Sequence, residues 1–163
     1  MFPIRPKNLI FCTLSFYLLV PLLLFSLSWA KDIGRKGVYV GSKACQACHE
    51  QEYQNYVKYA RKSKSFSSVL KMKKGLTQEE IRKCYTCHTT GYGKPGGFVS
   101  LEETPHLKNA GCEVCHGPSK AHAESGNPAY IKRKVSLETC QICHTPERVR
   151  AFRYKPLIHG GGH

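Results

Sequence analysis

Paired cysteines followed at once by a histidine recur four times in this chain. The two cysteines of each copy are separated by two residues, as in Cys45-Cys48-His49, Cys84-Cys87-His88, Cys112-Cys115-His116 and Cys140-Cys143-His144. Two thiols at this spacing can form thioether bonds to the vinyl groups on one edge of a porphyrin, and the next residue can offer an imidazole to the iron. The spacing therefore predicts four covalently bound c-type haems, with eight cysteines as attachment points and four histidines as proximal ligands.

Zinc ribbons, thioredoxin-like redox motifs and disulfide frameworks also contain paired cysteines. The two halves of a zinc ribbon usually stand about 15 to 20 residues apart, whereas 35, 24 and 24 residues separate successive pairs here. None of these alternatives requires a histidine after each pair. Because only 8 of 163 residues are histidine, chance would place one after all four pairs with a probability on the order of 10⁻⁵. The pattern favours haem.

The first thirty residues have the pattern of an export signal. Two basic residues are followed by an almost wholly apolar run from Leu9 to Leu27, and small residues precede a cleavage position after Ala30. The run is nearly long enough to span a bilayer, so an uncleaved membrane anchor is the alternative. We predict a signal peptide over residues 1–30, which includes the ninth cysteine, Cys12, and a periplasmic tetrahaem domain over residues 31–163.

The chain is strongly basic, with 25 lysines and arginines against 11 acidic residues. Loss of Arg5 and Lys7 with the signal leaves 23 basic residues and a net charge of +12, and four ferric haems with ionised propionates would reduce this to about +8. Basic residues crowd Lys58–Lys74 and Lys132–Lys134. Since no nucleic-acid-binding motif is present, this charge predicts steering toward an acidic redox protein or an anionic membrane surface. A merely solvated basic face is the alternative, and the oligomeric state stays open.

Short helices beside the haem motifs are predicted, with extensive loops and no sheet of consequence. Apolar residues at i, i+3, i+4 and i+7 predict a helix over Glu50–Arg61. Thr77 and Glu80 form a capping-box pattern that predicts a helix running into Cys84. The other predicted elements are a helix from Phe66 ended by Gly75, a loop over 91–97, a short strand over 98–101, and helices starting at Thr104, Ser136 and Thr145. The expected fold is mainly α, a compact multihaem cytochrome c organised around four covalent haems.

Two segments carry a more specific resemblance. The run Tyr39–Glu50 resembles the opening of the tetrahaem cytochrome c-554 family, typified by the periplasmic electron acceptor of hydroxylamine oxidoreductase in ammonia-oxidising bacteria. Gly111–His122 is similar to the third haem segment of that family, and the likeness extends from Tyr39 to about His159. The resemblance implies a compact, mainly helical fold with haems in closely packed pairs, electron transfer, bis-histidine ligation at most irons, and one iron with an open face.

The resemblance also implies which histidines are sixth ligands of the irons. His122, His106 and His159 match distal positions of the family, whereas His163 ends a triple-glycine tail and is not expected to bind. Alignment on a nearby phenylalanine places Lys62 where relatives have a distal histidine. Lysine binds iron only as the neutral amine, so we predict a solvated Lys62 and one iron that is five-coordinate or bound by Met72 or by another chain.

These features predict a periplasmic tetrahaem c-type cytochrome that carries electrons between redox partners. Two alternatives remain open. An open haem could reduce nitric oxide or a related small nitrogen species, which would make the protein an enzyme, although the pattern favours an electron carrier. Short tetrahaem cytochromes can also stack into conducting filaments, with a distal histidine donated between neighbours.

Overall fold

Short helices separated by irregular segments build this protein. The computed structural model describes residues 37–147, so the predicted signal peptide, His159 and His163 lie outside the described residues. The α-helices are α1 (Glu50–Tyr59), α2 (Phe66–Met72), α3 (Gln78–His88), α4 (Cys112–His116), α5 (Lys120–Ser125) and α6 (Leu137–Gln141), joined by 3₁₀ turns at Ser42–Cys45, Arg61–Lys64, Pro105–Leu107 and Pro128–Tyr130. Residues 37–147 contain no strand, which confirms the mainly α fold with extensive loops.

Local sequence signals account for the longest helices. Both reciprocal bonds of the predicted capping box are present, since the amide of Glu80 donates to Thr77 Oγ1 at 3.3 Å and the amide of Thr77 donates to Glu80 Oε2 at 2.8 Å. The helix that this box starts runs through Cys84 to His88. The helix predicted from Glu50 ends two residues early, because Ala60 adopts extended backbone angles.

Two predicted elements were wrong. The strand expected over 98–101 does not form, because Phe98 donates one backbone bond, to Thr90 at 2.9 Å, while the amide of Val99 bonds the Thr104 side chain instead. The helix expected from Thr104 into the third motif is a single 3₁₀ turn, and a separate helix begins at Cys112. The predicted loop over 91–97 is confirmed, whereas most of the helix predicted from Thr145 lies outside the described residues.

The described apolar core is small and sits where α2 packs against α3. Its buried members are Phe66, Val69, Ile81, Phe98 and Leu107. The ring of Tyr85, inside the second cysteine pair, lies 5.8 Å from that of Phe66 and 5.2 Å from that of Phe98. Aromatic pairs at these separations stabilise the core beyond simple burial. The second motif is therefore anchored to the core through a residue between its cysteines.

Candidate haem sites

Each of the four motifs forms one helical turn, and we call these haem turns 1 to 4 in chain order. Turn 2 is the end of α3 and turn 3 is the whole of α4. In turns 1 and 4 the histidine amide donates to the carbonyl of the first cysteine, at 2.9 Å from His49 to Cys45 and 2.9 Å from His144 to Cys140. Residues at i, i+3 and i+4 share one face of a helical turn. Each turn thus presents two thiols and an imidazole on the same side, as attachment along one porphyrin edge requires.

The donor atoms are arranged as separate sets. All eight motif cysteines are free thiols, and Cys48 is exposed while the other seven are half-buried. Within residues 37–147 no three His, Cys, Asp or Glu side chains converge on a point that could hold a bare metal ion. A haem supplies four ligand nitrogens itself and needs only axial ligands from the protein. Each turn supplies two thiols and one imidazole, which is the donor set that covalent haem attachment with one axial ligand uses.

Two of the motif histidines are held with a defined ring nitrogen protonated. His88 Nδ1 lies 2.9 Å from the carbonyl of Ser65, and His116 Nδ1 lies 2.7 Å from the carbonyl of Lys132. A carbonyl oxygen can only accept, so Nδ1 carries the proton and Nε2 keeps its lone pair. Histidines that bind metals usually have their second nitrogen fixed in this way. In turns 2 and 3 this leaves the lone pair of Nε2 available to bind iron.

His122, predicted as a distal ligand, has the same arrangement. Its Nδ1 lies 3.0 Å from the carbonyl of Asn127, and its ring centre lies 6.2 Å from that of His49 with 30° between the planes. A metal–nitrogen bond is about 2.0 Å long, and the centre of an imidazole ring lies about 1.1 Å beyond its Nε2 atom. Two imidazoles on opposite sides of one iron would therefore have ring centres about 6.2 Å apart. The structure brings His122 and the histidine of turn 1 to the separation that bis-histidine ligation requires.

His106 lies beside the start of turn 1. It is exposed in the 3₁₀ turn Pro105–Leu107, and its Cδ2 would stand 3.2 Å from a Cβ added at Gly41. Gly41 has a φ of +80°, which disfavours other residues. A side chain there would also press on the imidazole of His106. The third predicted distal histidine, His159, lies outside the described residues.

Lys62 lies near haem turn 4 and is half-buried, not the fully solvated residue expected from the sequence. Its Nζ stands 6.0 Å from the ring centre of Tyr56. Burial, helped by the positive charge of Lys62, lowers the pKa of His144 from its usual value. Met72, considered as a substitute ligand, is 64% exposed at the end of α2.

Haem turns 1 and 3 are adjacent. The interaction between the side chains of Cys45 and Cys112 lowers the pKa of the Cys112 thiol and raises that of the Cys45 thiol. The amide of Cys112 also donates to Ser42 Oγ at 3.0 Å. Haem turn 4 is linked to turn 3 through Lys132, whose amide donates to the carbonyl of His116 at 3.0 Å and whose Nζ donates to the hydroxyl of Thr139, the residue before Cys140. Turn 3 is therefore close to both turn 1 and turn 4.

Two polar residues that the sequence analysis did not single out support these turns. Ser65 Oγ donates to the carbonyl of His88 at 2.8 Å and accepts from the amide of Ala110 at 2.9 Å, so it joins turn 2 to the segment before turn 3. Glu113, inside turn 3, is a buried carboxylate with only 2% of its surface exposed. A buried carboxylate is unusual unless it is fully hydrogen-bonded. Its position between two motif cysteines carries no sequence signal of its own.

Comparison with known proteins agrees with this geometry. The family model described as Cytochrome c554 and c-prime matches residues 44–117, which include haem turns 1 to 3. Cytochrome c-554 of Nitrosomonas europaea is 29% identical over 122 residues, an alignment that covers 66% of this chain and 52% of that protein. The chain thus spans about half the length of the curated relative it matches. No solved structure matches the chain.

The family match and the geometry point to one class of protein. The matched segment carries three complete haem turns, and each turn has the one-face arrangement of two thiols and an imidazole. Among residues 37–147 no helix has the length and apolar character needed to cross a membrane. The family model and the curated relative support the resemblance seen in the sequence: over the matched residues the chain is similar to the cytochrome c-554 family of c-type cytochromes.

Proposed function

We propose that this protein is a periplasmic tetrahaem c-type cytochrome that carries electrons between redox partners. The observation that carries the proposal is the repetition, four times, of one helical turn with two thiols and an imidazole on one face. Bound haem supplies an iron that alternates between the ferric and ferrous states, and the protein provides attachment, axial ligands and spacing. No acid–base or nucleophilic residue is needed for that task.

The axial ligands proposed are histidines on both sides of most irons. His49, His88, His116 and His144 are the proximal ligands, one from each turn. We assign His122 to the iron of turn 1, because its ring stands at the required distance from that of His49. His106 and His159 supply two further distal ligands. Bis-histidine ligation, without a methionine partner, keeps haem potentials low.

The proposed redox partner is an acidic protein. Seven basic residues and no acidic one lie between Lys58 and Lys74, and all of them are exposed except the half-buried Lys62. A surface whose charges are all positive attracts a negatively charged partner and speeds its association. An anionic membrane surface offers the same charge and would be revealed by binding to anionic vesicles.

A second candidate function rests on Lys62. The resemblance places Lys62 where the family has a distal histidine. Lys62 also lies near turn 4, close enough for its charge to lower the pKa of His144 after the larger effect of burial. An iron with one strong protein ligand can bind a small molecule. The second candidate is therefore reduction of nitric oxide or a related small nitrogen species at one open haem.

Haem content tests the main proposal. Intact mass and a haemochrome assay on the exported protein should give four covalently bound haems per chain, because all four turns are complete. Replacement of Cys87 with alanine should weaken attachment at turn 2 alone, and the exposed Ser67→Ala variant is the control. A count of three or fewer in fully matured wild-type protein contradicts a tetrahaem carrier.

A further inference from the structure

The carboxylate of Glu113 joins two separate segments of the chain. Oε1 accepts hydrogen bonds from the amide of Ser119 at 2.9 Å, the hydroxyl of Ser119 at 2.7 Å and the amide of Val40 at 3.1 Å. Oε2 accepts from the amide of Gly41 at 2.7 Å and that of Val40 at 3.2 Å. Hydrogen bonds to an ionised acceptor are about twice as strong as neutral ones. The buried charge is therefore compensated.

These bonds connect haem turn 3 to haem turn 1. Glu113 belongs to turn 3, while Val40 and Gly41 directly precede the 3₁₀ turn Ser42–Cys45 that leads into turn 1. Thioether bonds would tie each turn to its own haem and not to the other turn. The described cysteines form no disulfide, and residues 37–147 contain no strand. Two further bonds join the same segments: the amide of Cys112 donates to Ser42 Oγ at 3.0 Å, and the amide of Lys120 donates to the carbonyl of Val38 at 3.2 Å.

The position of Glu113 in turn 3 couples its carboxylate to a haem attachment point. Glu113 directly follows the first cysteine of turn 3, so a displacement of its carboxylate displaces the attachment point at Cys112. The amide of Cys112 donates to Ser42 Oγ at 3.0 Å, and Ser42 begins the 3₁₀ turn that ends at Cys45, so the haem edges bound at Cys45 and Cys112 would be neighbours. Electron exchange and magnetic interaction between neighbouring haems both depend steeply on separation and orientation.

We propose that Glu113 is a positioning residue, whose carboxylate fixes turn 1 against turn 3 and thereby sets the relative placement of the two haems attached to them. This inference rests on the proposed function, because it requires a haem at both turns. The residue touches neither iron and takes no part in electron transfer itself. It acts through the backbone amides of Val40 and Gly41.

Two substitutions separate placement from charge. Glu113→Asp keeps the negative charge but shortens the side chain by one methylene group, so it cannot reach Val40–Gly41 and Ser119 together without moving turn 3. Glu113→Gln keeps the length but places an NH₂ group against backbone N–H donors. Glu79→Gln is the matched control, because it removes the same charge from an exposed side chain that pairs with Lys83 at 4.0 Å.

The readout is electron paramagnetic resonance of the fully oxidised protein, with haem content measured on the same samples. We expect the signals of two of the four haems to shift in Glu113→Asp and Glu113→Gln and to stay unchanged in Glu79→Gln. Four unchanged signals in Glu113→Asp would overturn the inference. If either variant loses haem, the masses of its peptides show which turn has lost it. Loss at turn 1 or turn 3 supports the inference. Loss confined to turn 2 or turn 4 overturns the inference. A wild type that lacks haem at turn 1 or 3 instead refutes the proposed function.

Discussion

Replacement of His122 with alanine should convert one haem iron from six-coordinate to five-coordinate. The ring centres of His49 and His122 lie 6.2 Å apart. Two imidazoles bound to one iron through metal–nitrogen bonds of about 2.0 Å would have a similar distance between their ring centres. The bond from His122 Nδ1 to the carbonyl of Asn127 at 3.0 Å leaves Nε2 as the ligand atom.

The size of the effect follows from the number of sites. Turn 1 holds one of four proposed haems, so roughly a quarter of the haem should become high-spin and should bind carbon monoxide or cyanide. Absorbance and electron paramagnetic resonance of the oxidised protein, followed by a ligand titration, measure this fraction. Glu124→Gln, on the same helix α5, is the control, because the exposed carboxylate it changes pairs with Lys120 at 4.0 Å. It should leave the spin state of every haem as in the wild type.

A second substitution tests the assignment from the other direction. His122→Met retains an axial ligand but exchanges nitrogen for sulfur, so one haem should stay low-spin and its reduction potential should rise. An unchanged spin state in His122→Ala would refute the ligation of iron by His122. A new high-spin signal at a haem other than that of turn 1 would refute the pairing with His49 while leaving His122 a ligand.

The remaining predictions concern spin state, association and stability. The oxidised wild type should show a high-spin ferric component, which Lys62→His converts to low-spin and Lys62→Ala leaves alone; four purely low-spin haems would contradict this. Electron transfer with an acidic partner should slow as ionic strength rises, because salt screens the basic run Lys58–Lys74. Stopped-flow rates over a salt series measure this. Rates that do not change with salt would mean that the run is solvated surface and not a docking face. Ser65→Ala should destabilise the holoprotein by about 1–3 kcal/mol in denaturant unfolding, since the amide of Ala110 loses its acceptor in the interior. Ser67→Ala, which removes an exposed bond at 2.7 Å, should change stability little, and equal effects of the two would contradict the role of Ser65.

Features whose partners are close in sequence were predictable. The haem turns follow from cysteine and histidine spacing, because i, i+3 and i+4 share a helical face whatever surrounds them. The capping box of Thr77 and Glu80 also joins residues three apart. The mainly α fold could be inferred for the same reason. The proposed strand over 98–101 failed because apolar residues form a strand only when another segment pairs with them along its length.

Features whose partners are distant were decided by the tertiary structure. The bonds from Val40 and Gly41 to Glu113 join residues 73 and 72 positions apart, and no local pattern marks a carboxylate as buried. Likewise, the role of His122 was suggested by resemblance, yet its distance of 6.2 Å from the ring of His49 depends on how the folded chain places α5 beside turn 1. The sequence by itself determined which groups can attach haem. The folded chain decided which turns become neighbours, because hydrogen bonds and burial act between segments that meet only after the chain has folded.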